Sequence, residues 1–246
     1  MARVLAVRTL LWKELRQMRR SRRAIFSTVI LPFMLLVVVP LGQAAAFRSA
    51  PPQAMAGLPD VLVERFGRPL ELFTGLLLPL FVTMAGVLVP TVAASYTIIA
   101  EREQRSLDLL MALPVAVADV LVAKVAAVLL LSAGVVLPLF AVQSAALLAR
   151  GVVAPGYAAV LLVVLLAALI CSSGITFIVT LVARDFRTAN NISGLQFAPV
   201  LGMTVAVLVV APDPVRFPLL AALLAAAGLV ALAAARRWLT FERYLA

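Results

Sequence analysis

Residues Leu72–Ala100 read LFTGLLLPLFVTMAGVLVPTVAASYTIIA, 29 positions without a single charged side chain. The hydrocarbon core of a bilayer is about 30 Å thick, and an α-helix crosses it with about 20 apolar residues. Because this run is longer, it predicts a transmembrane helix that tilts or extends beyond the core. Five other apolar runs reach or approach the same length: Ala24–Ala46, Val125–Ala149, Tyr157–Ala183, Ile192–Ala211 and Phe217–Ala235.

The composition of the chain agrees with a membrane protein. Of its 246 residues, 64% are hydrophobic and the mean hydropathy is +1.12, whereas soluble domains are about 45–50% apolar. The sequence therefore predicts an all-α, polytopic membrane protein with six transmembrane helices. We expect residues 24–246 to form a single membrane domain, because no gap between the runs is long enough for another one. The gap Phe47–Glu71 holds only a predicted short helix, at Val61–Phe66.

The lysines and arginines predict the orientation of the chain. Sixteen of the 21 lie in the N-terminal segment, the second and fourth gaps and the tail, against five in the other gaps. By the positive-inside rule, both termini are then cytoplasmic. The net charge of +10 reflects topology and contact with lipid, and no nucleic-acid-binding motif accompanies it. The 19 arginines against two lysines suggest a GC-rich bacterial source, hence the cytoplasmic (inner) membrane of a bacterium.

Several classes of function are disfavoured by residues that the chain lacks. It has no histidine and a single cysteine, Cys171, so we expect no metal site and no disulfide within the chain. The apolar runs contain no Asp, Glu, Lys, Arg or His away from their ends, which argues against a proton-coupled transporter and a membrane-embedded enzyme. Ser21-Arg22-Arg23 looks like a twin-arginine signal, but the apolar run after it has 23 residues, more than the roughly 7–15 of a signal peptide.

The residues before the first run have the pattern of an amphipathic helix. Apolar side chains recur at helical spacing from Val4 to Met18, and basic side chains fall elsewhere around the helix. Such a helix lies in the membrane interface with its apolar stripe in lipid. The pattern predicts an elbow helix within residues 1–23 that is connected to the first span. A basic patch that only orients the protein is the alternative.

The second run continues directly into a charged cluster, Glu101–Arg105, and then into LDLLMALP, Leu107–Pro114. The latter segment is too short to span a bilayer, is apolar on one face and ends at a proline. It predicts a short amphipathic helix attached to a long span, a form suited to pass motion between a soluble partner and a membrane bundle. A loop that folds back into the interface is the alternative.

Residues Glu101–Lys124, EREQRSLDLLMALPVAVADVLVAK, resemble the segment after the second span of type 2 ATP-binding-cassette (ABC) export permeases. That family typically reads E-R-E-x-G-T-L-E-x-L-L-x-x-P-V, with G-K at the start of the third span. The opening Trp12-Lys13-Glu14-Leu15 is similar to the elbow of the family. The chain departs at Arg105-Ser106, where Gly-Thr is usual, and at Ala123, where Gly is usual. The matching positions are Glu101, Arg102, Glu103, Leu107, Leu110, Pro114, Val115 and Lys124.

The resemblance implies the permease subunit of an ATP-driven exporter, which pairs as a homo- or heterodimer and couples to two separate ATPase subunits. Neither lysine of the chain follows a Gly-x-x-x-x-Gly pattern, so the chain has no phosphate-binding loop. We therefore expect no enzyme activity in this chain, with ATP and Mg²⁺ on the partner. The resemblance assigns coupling to the ATPase to Glu101, Glu103, Arg105, Leu107, Leu109, Leu110, Met111 and Pro114, and the elbow helix to Trp12, Lys13, Glu14 and Arg16.

The apolar character of the spans suits an amphipathic or hydrophobic cargo, such as a lipid-linked glycan, a lipid or a hydrophobic drug. Two alternatives remain at this point: a haem-export or cytochrome-maturation type permease, and a membrane scaffold that recruits a soluble partner without transport. Hydroxyl residues within the runs, among them Thr91, Ser172 and Thr176, are predicted to pack helices together and not to bind cargo. The prolines expected to kink or loosen helices are Pro32, Pro79, Pro90, Pro138 and Pro199.

Overall fold

The computed structural model describes residues 22–94, 117–182 and 194–238, and every regular element in these ranges is helical. Two π-helical turns, Met34–Val38 and Phe73–Leu77, join α1 to α2 and α4 to α5. A 3₁₀ turn, Pro52–Met55, precedes α3. The α-helices are α1 (Arg22–Phe33), α2 (Val39–Ser49), α3 (Asp60–Phe66), α4 (Pro69–Leu72), α5 (Leu78–Ala94), α6 (Val117–Ala149), α7 (Pro155–Val182), α8 (Phe197–Val210) and α9 (Arg216–Trp238).

Five helical stretches in the described residues are long and apolar enough to cross a membrane. The fifth predicted run, Ile192–Ala211, contains α8, which has 14 residues and is about 21 Å long at 1.5 Å per residue. The polytopic, all-helical architecture is therefore confirmed as five long apolar helices and one shorter one. The five stretches are Thr28–Ser49, Pro69–Ala94, Val125–Ala149, Pro155–Val179 and Arg216–Ala235.

Each π-helical turn ends two residues before a proline. A proline has no N–H, and its ring clashes with the carbonyl four residues earlier in an α-helix. In each case the preceding residue instead bonds five residues back: Val39 N–H donates to Met34 O, and Leu78 N–H donates to Phe73 O. The widened turns accommodate Pro40 and Pro79. The loosening that the sequence predicted at Pro79 takes this form.

Two spans form the centre of the bundle. Pro69–Ala94 and Pro155–Val179 are buried over 67% and 56% of their apolar windows, against 28% for each of the other three. Helix α7 packs against α9 on one side and α5 on the other. Its Ala168 and Cys171 belong to a buried cluster with Leu220 and Leu224 of α9. Other buried residues of α7, Leu161, Leu165 and Leu169, face Val82, Ala85 and Val89 of α5.

Two glycines bring α7 close to α9. A Cβ atom on Gly228 of α9 would lie 2.6 Å from Ile170 O and 2.7 Å from Cys171 Cα. A Cβ atom on Gly174 would collide with the backbone of Gly228 in the same way. The backbones of α7 and α9 therefore touch at this crossing, which any larger side chain would prevent.

Three short connections lie at one end of the bundle, which we call the loop end: residues 50–68, 150–154 and 211–215. Hydrogen bonds from Arg48 to Arg150 O and from Arg65 to Ala211 O hold them together there. The predicted short helix at Val61–Phe66 is confirmed as α3, Asp60–Phe66. Its buried Phe66 packs into the same cluster as Leu220.

Candidate functional site

The site residues predicted from the sequence lie outside the described residues. The structure instead describes the helices on either side of the predicted coupling segment: α5 is described as far as Ala94, and α6 is described from Val117. Both residues are at the end of the bundle opposite the loop end, because α5 and α6 each have their other end at the loops. The residues concerned are Trp12, Lys13, Glu14 and Arg16 of the elbow, and Glu101, Glu103, Arg105, Leu107, Leu109, Leu110, Met111 and Pro114 of the coupling segment.

A polar cluster lies inside the bundle towards that opposite end. It consists of Thr91 on α5, Ser172 and Thr176 on α7, and Gln196, the residue before α8, and all four are buried. Thr91 Oγ1 lies 3.2 Å from Ser172 Oγ and 3.5 Å from Thr176 Oγ1. Gln196 Nε2 donates to Thr91 Oγ1 at 2.5 Å and to Thr176 Oγ1 at 3.3 Å. The polar cluster therefore joins α5, α7 and the start of α8.

The carbonyl of Val87 anchors this cluster to the backbone. Ser172 Oγ donates to Val87 O at 2.6 Å, and Thr91 Oγ1 donates to it at 2.8 Å. The bond from Ser172 crosses from α7 to α5. Pro90, one residue before Thr91, has no N–H to donate to the carbonyl of Gly86. Side-chain bonds thus hold α5 to its neighbours at the level where its own backbone ladder is interrupted.

Gln196 is the member of the cluster that sequence reasoning did not single out. Its Oε1 is buried and has no hydrogen-bond partner among the described residues. A buried acceptor left without a partner costs about 1–3 kcal/mol. A lone amide within the predicted run Ile192–Ala211 was the available signal. The hydroxyls of Thr91, Ser172 and Thr176 are placed between helices, as the sequence predicted.

An ionic cluster fixes the connections at the loop end. Asp213 forms two ion pairs. Its Oδ1 lies 2.8 Å from Arg216 Nε, and its Oδ2 lies 3.4 Å from Arg65 Nη2. Arg65 Nη2 also donates to the carbonyl of Ala211 at 2.8 Å. These contacts tie α3 to the turn between α8 and α9. Asp213 and Arg216 are three residues apart, but Arg65 lies 148 positions from Asp213 in the chain, so spacing in the sequence gave no sign that Arg65 joins them.

Tyr157, at the start of α7, connects the same end of the bundle to the second π-helical turn. Its hydroxyl donates to Thr74 O. In a π-helical pattern this carbonyl would accept from the N–H of residue 79, but residue 79 is a proline and has none. Its ring packs edge-on against Phe217, with centroids 5.5 Å apart. Arg216 lies 4.7 Å above the centroid of the Phe217 ring, within cation–π distance.

These two clusters join helices, and the polar cluster offers no group suited to acid–base chemistry. The polar cluster consists of hydroxyls and an amide, none of which titrates near neutral pH. Across residues 22–94, 117–182 and 194–238, no three His, Cys, Asp or Glu side chains come together as a metal site would need. The arrangement is that of a membrane component whose helices are joined at two levels.

The sequence model of a transporter family, described as ABC-2 family transporter protein, matches residues 8–217. The match covers most of the chain, including the whole of the predicted coupling segment and residues 8–23 of the predicted elbow segment. The protein therefore belongs to the ABC-2 transporter family and is a membrane permease component, as the resemblance in Glu101–Lys124 indicated. Domains of this kind typically lack ATPase activity of their own. Comparisons with curated proteins and with solved structures find no match to the chain.

Proposed function

We propose that this protein is the membrane-spanning half of an ATP-driven exporter. Two permeases pair, and each couples to a separate ATPase subunit that carries the ATP and Mg²⁺. The observation that supports this most directly is the position of α5. Its described part precedes the segment that resembles the coupling helix of the family, and it is bonded near Ala94 to α7 and to Gln196.

Each residue of the coupling segment has a role in this proposal. Apolar side chains fill a cleft of the ATPase, and charged side chains surround them with polar contacts. Closure of the two ATPases on ATP moves the segment, α5 passes the motion to the polar cluster, and the cluster shifts α7 and α8 together. The apolar contacts come from Leu107, Leu109, Leu110 and Met111, and the polar contacts from Glu101, Glu103 and Arg105, with Pro114 ending the helix.

The orientation belongs to the same proposal. The loop end faces the outside of the bacterial inner membrane, and both termini and the coupling segment face the cytoplasm. The unequal distribution of Lys and Arg supports this, with five on the loop side and sixteen on the other. Helix α8 belongs to the fifth of six spans, Ile192–Ala211. The interfacial elbow helix, with Trp12, Lys13, Glu14 and Arg16, lies along the cytoplasmic surface.

The cargo is an amphipathic or hydrophobic molecule that moves along a path between the paired permeases. Away from their ends, the five described spans contain no Asp, Glu, Lys, Arg or His, and an ionic cargo at bilayer depth would need a charged side chain as a partner. Small and hydroxyl side chains in the bundle are engaged in packing helices, as at Gly228 and Ser172. Contacts to cargo are therefore expected on the surface of the bundle, where a second permease packs.

A crosslinking experiment tests the coupling to an ATPase. Leu109→Cys in the full chain, expressed in its native membrane, is treated with a bifunctional thiol–amine reagent, and the adduct is identified by mass spectrometry. We expect a soluble subunit with a phosphate-binding loop. Val61→Cys is the matched control, because Val61 is 61% exposed and lies at the loop end. The proposal fails if Leu109→Cys captures no such subunit, or if Val61→Cys captures it equally well.

A further inference from the structure

A groove at the loop end lies beside two arginines. It has a volume of about 520 Å³ and runs between α2 and the connection from α6 to α7. Its lining combines small and apolar residues with one serine and two arginines. The lining residues are Ala44, Ala45, Arg48, Ser49, Arg150 and Val152.

The two arginines are held in place by backbone carbonyls. Arg48 Nη1 donates to Arg150 O at 2.5 Å, and Arg150 Nη1 donates to Leu41 O at 3.2 Å. A guanidinium has five N–H donors, so each of these bonds uses only one. The bonds restrict where the side chains lie and leave further donors directed elsewhere. Positioned donors of this kind reduce the ordering cost of binding an anion.

The charge of this pair is not compensated within the described part of the chain. No carboxylate among the described residues lies within 4 Å of Arg48 or Arg150, whereas Arg65 and Arg216, at the same end, share Asp213. Like charges that face one groove repel each other, and an anion between them removes that repulsion. The loop end therefore contains one pair of arginines that shares a carboxylate and one pair without a carboxylate partner among the described residues.

The shape of the groove indicates what kind of anion it takes. A phosphate accepts paired hydrogen bonds from the planar fork of an arginine, which is the geometry that guanidinium groups favour. The alanines and Val152 below the arginines offer an apolar surface that leads towards the membrane-spanning part of α2. We propose that the groove binds the phosphate group of an anionic amphiphile, held by Arg48 and Arg150. This proposal does not depend on ATP-driven export.

The test measures binding to the purified full chain by native mass spectrometry from detergent. One arm titrates phosphatidylglycerol against phosphatidylcholine, and the other titrates inorganic phosphate. We expect Arg48→Gln/Arg150→Gln to weaken the binding of the anion about ten-fold or more, since each charged hydrogen bond contributes about 1.5–3 kcal/mol. Arg68→Gln is the matched control, because Arg68 is exposed at the loop end and does not line the groove.

A second variant tests the contribution of the groove separately from that of the arginine charges. Ala45→Trp keeps both arginines and fills the space beneath them, and Ala45 is exposed enough to accept the larger side chain. We expect it to weaken phosphatidylglycerol binding while phosphate binding is retained. Arginine-dependent binding of phosphatidylglycerol alone identifies a lipid headgroup, and equally strong arginine-dependent binding of inorganic phosphate identifies a free anion. The proposal is overturned if Arg48→Gln/Arg150→Gln binds phosphatidylglycerol and phosphate as tightly as the wild type does. It is also overturned if Arg68→Gln weakens binding as much as the double variant does.

Discussion

Tyr157 shows how one side chain compensates for a proline in a neighbouring helix. Pro79 gives no N–H to the turn before it, and the hydroxyl of Tyr157 donates to Thr74 O in its place. The phenol therefore satisfies a carbonyl that would otherwise lie inside an apolar bundle without that partner. In lipid an unpaired carbonyl has no water to bond with, so loss of the hydrogen bond from Tyr157 destabilises the bundle.

The change Tyr157→Phe removes this bond and keeps the ring against Phe217. We expect it to destabilise the protein by about 1–2 kcal/mol, as a lower midpoint of thermal unfolding in detergent. In the background Pro79→Ala, which restores an N–H at position 79, the same change should cost clearly less. Equal losses in both backgrounds would mean that the hydroxyl does not compensate for the proline.

The polar cluster illustrates what could be read from single residues. Thr91, Ser172 and Thr176 are predictable as packing groups, because hydroxyls in apolar runs are expected between helices. Their partners are not predictable, since Gln196 and Val87 O reach them only through the folded arrangement of three helices. The same holds for Asp213, which pairs with an arginine 148 positions away in the chain.

At the scale of the helices, hydropathy predicts well which segments form long helices, whereas the local shape of the backbone within them is poorly predicted. The apolar runs give the five long helices, because length and composition alone determine whether a segment crosses a bilayer. The two π-helical turns were not predicted, although a proline follows each. Proline indicates a disturbance of the helix, but the neighbouring helices determine whether it becomes a kink or a widened turn. A full-length fifth run was likewise expected from hydropathy, and α8 within it has only 14 residues.

The crossing of α7 and α9 depends on the absence of a side chain at Gly228. We expect Gly228→Ala to destabilise the protein by about 2 kcal/mol or more, because its Cβ would lie 2.6 Å from a backbone oxygen of α7. Gly134→Ala in α6 is the control, since nothing lies within 4 Å of a Cβ there. It should be neutral or stabilising by about 0.5–1 kcal/mol, as expected for Gly→Ala within a helix. Thermal unfolding of both variants decides the matter, and a neutral Gly228→Ala would show that the helices can separate at no cost.

At the scale of the whole molecule, the described bundle has two differently built ends. The loop end is fixed by Asp213, Arg65 and the contacts around Tyr157. Towards the opposite end, uncharged hydroxyls and one amide join α5, α7 and α8. Hydrogen bonds between neutral groups in a membrane are worth only about 0.6 kcal/mol on average, so this end can change partners at lower cost. A bundle with a fixed end and an adjustable end is suited to a motion that starts at the coupling segment.

Charge reversal at Glu103 tests whether that motion starts there. In the complex with its ATPase, in nanodiscs, we expect Glu103→Lys to leave membrane insertion and ATP hydrolysis intact and to abolish the effect of ATP on the loop end. The measurement is the rate at which Val215→Cys, 51% exposed at the loop end, reacts with an impermeant maleimide with and without ATP. Glu64→Lys is the matched control, because it reverses an exposed charge on α3 and should keep the ATP-dependent rate. If Glu103→Lys also keeps that rate, Glu103 plays no part in transmission, and the motion must enter the bundle at another residue.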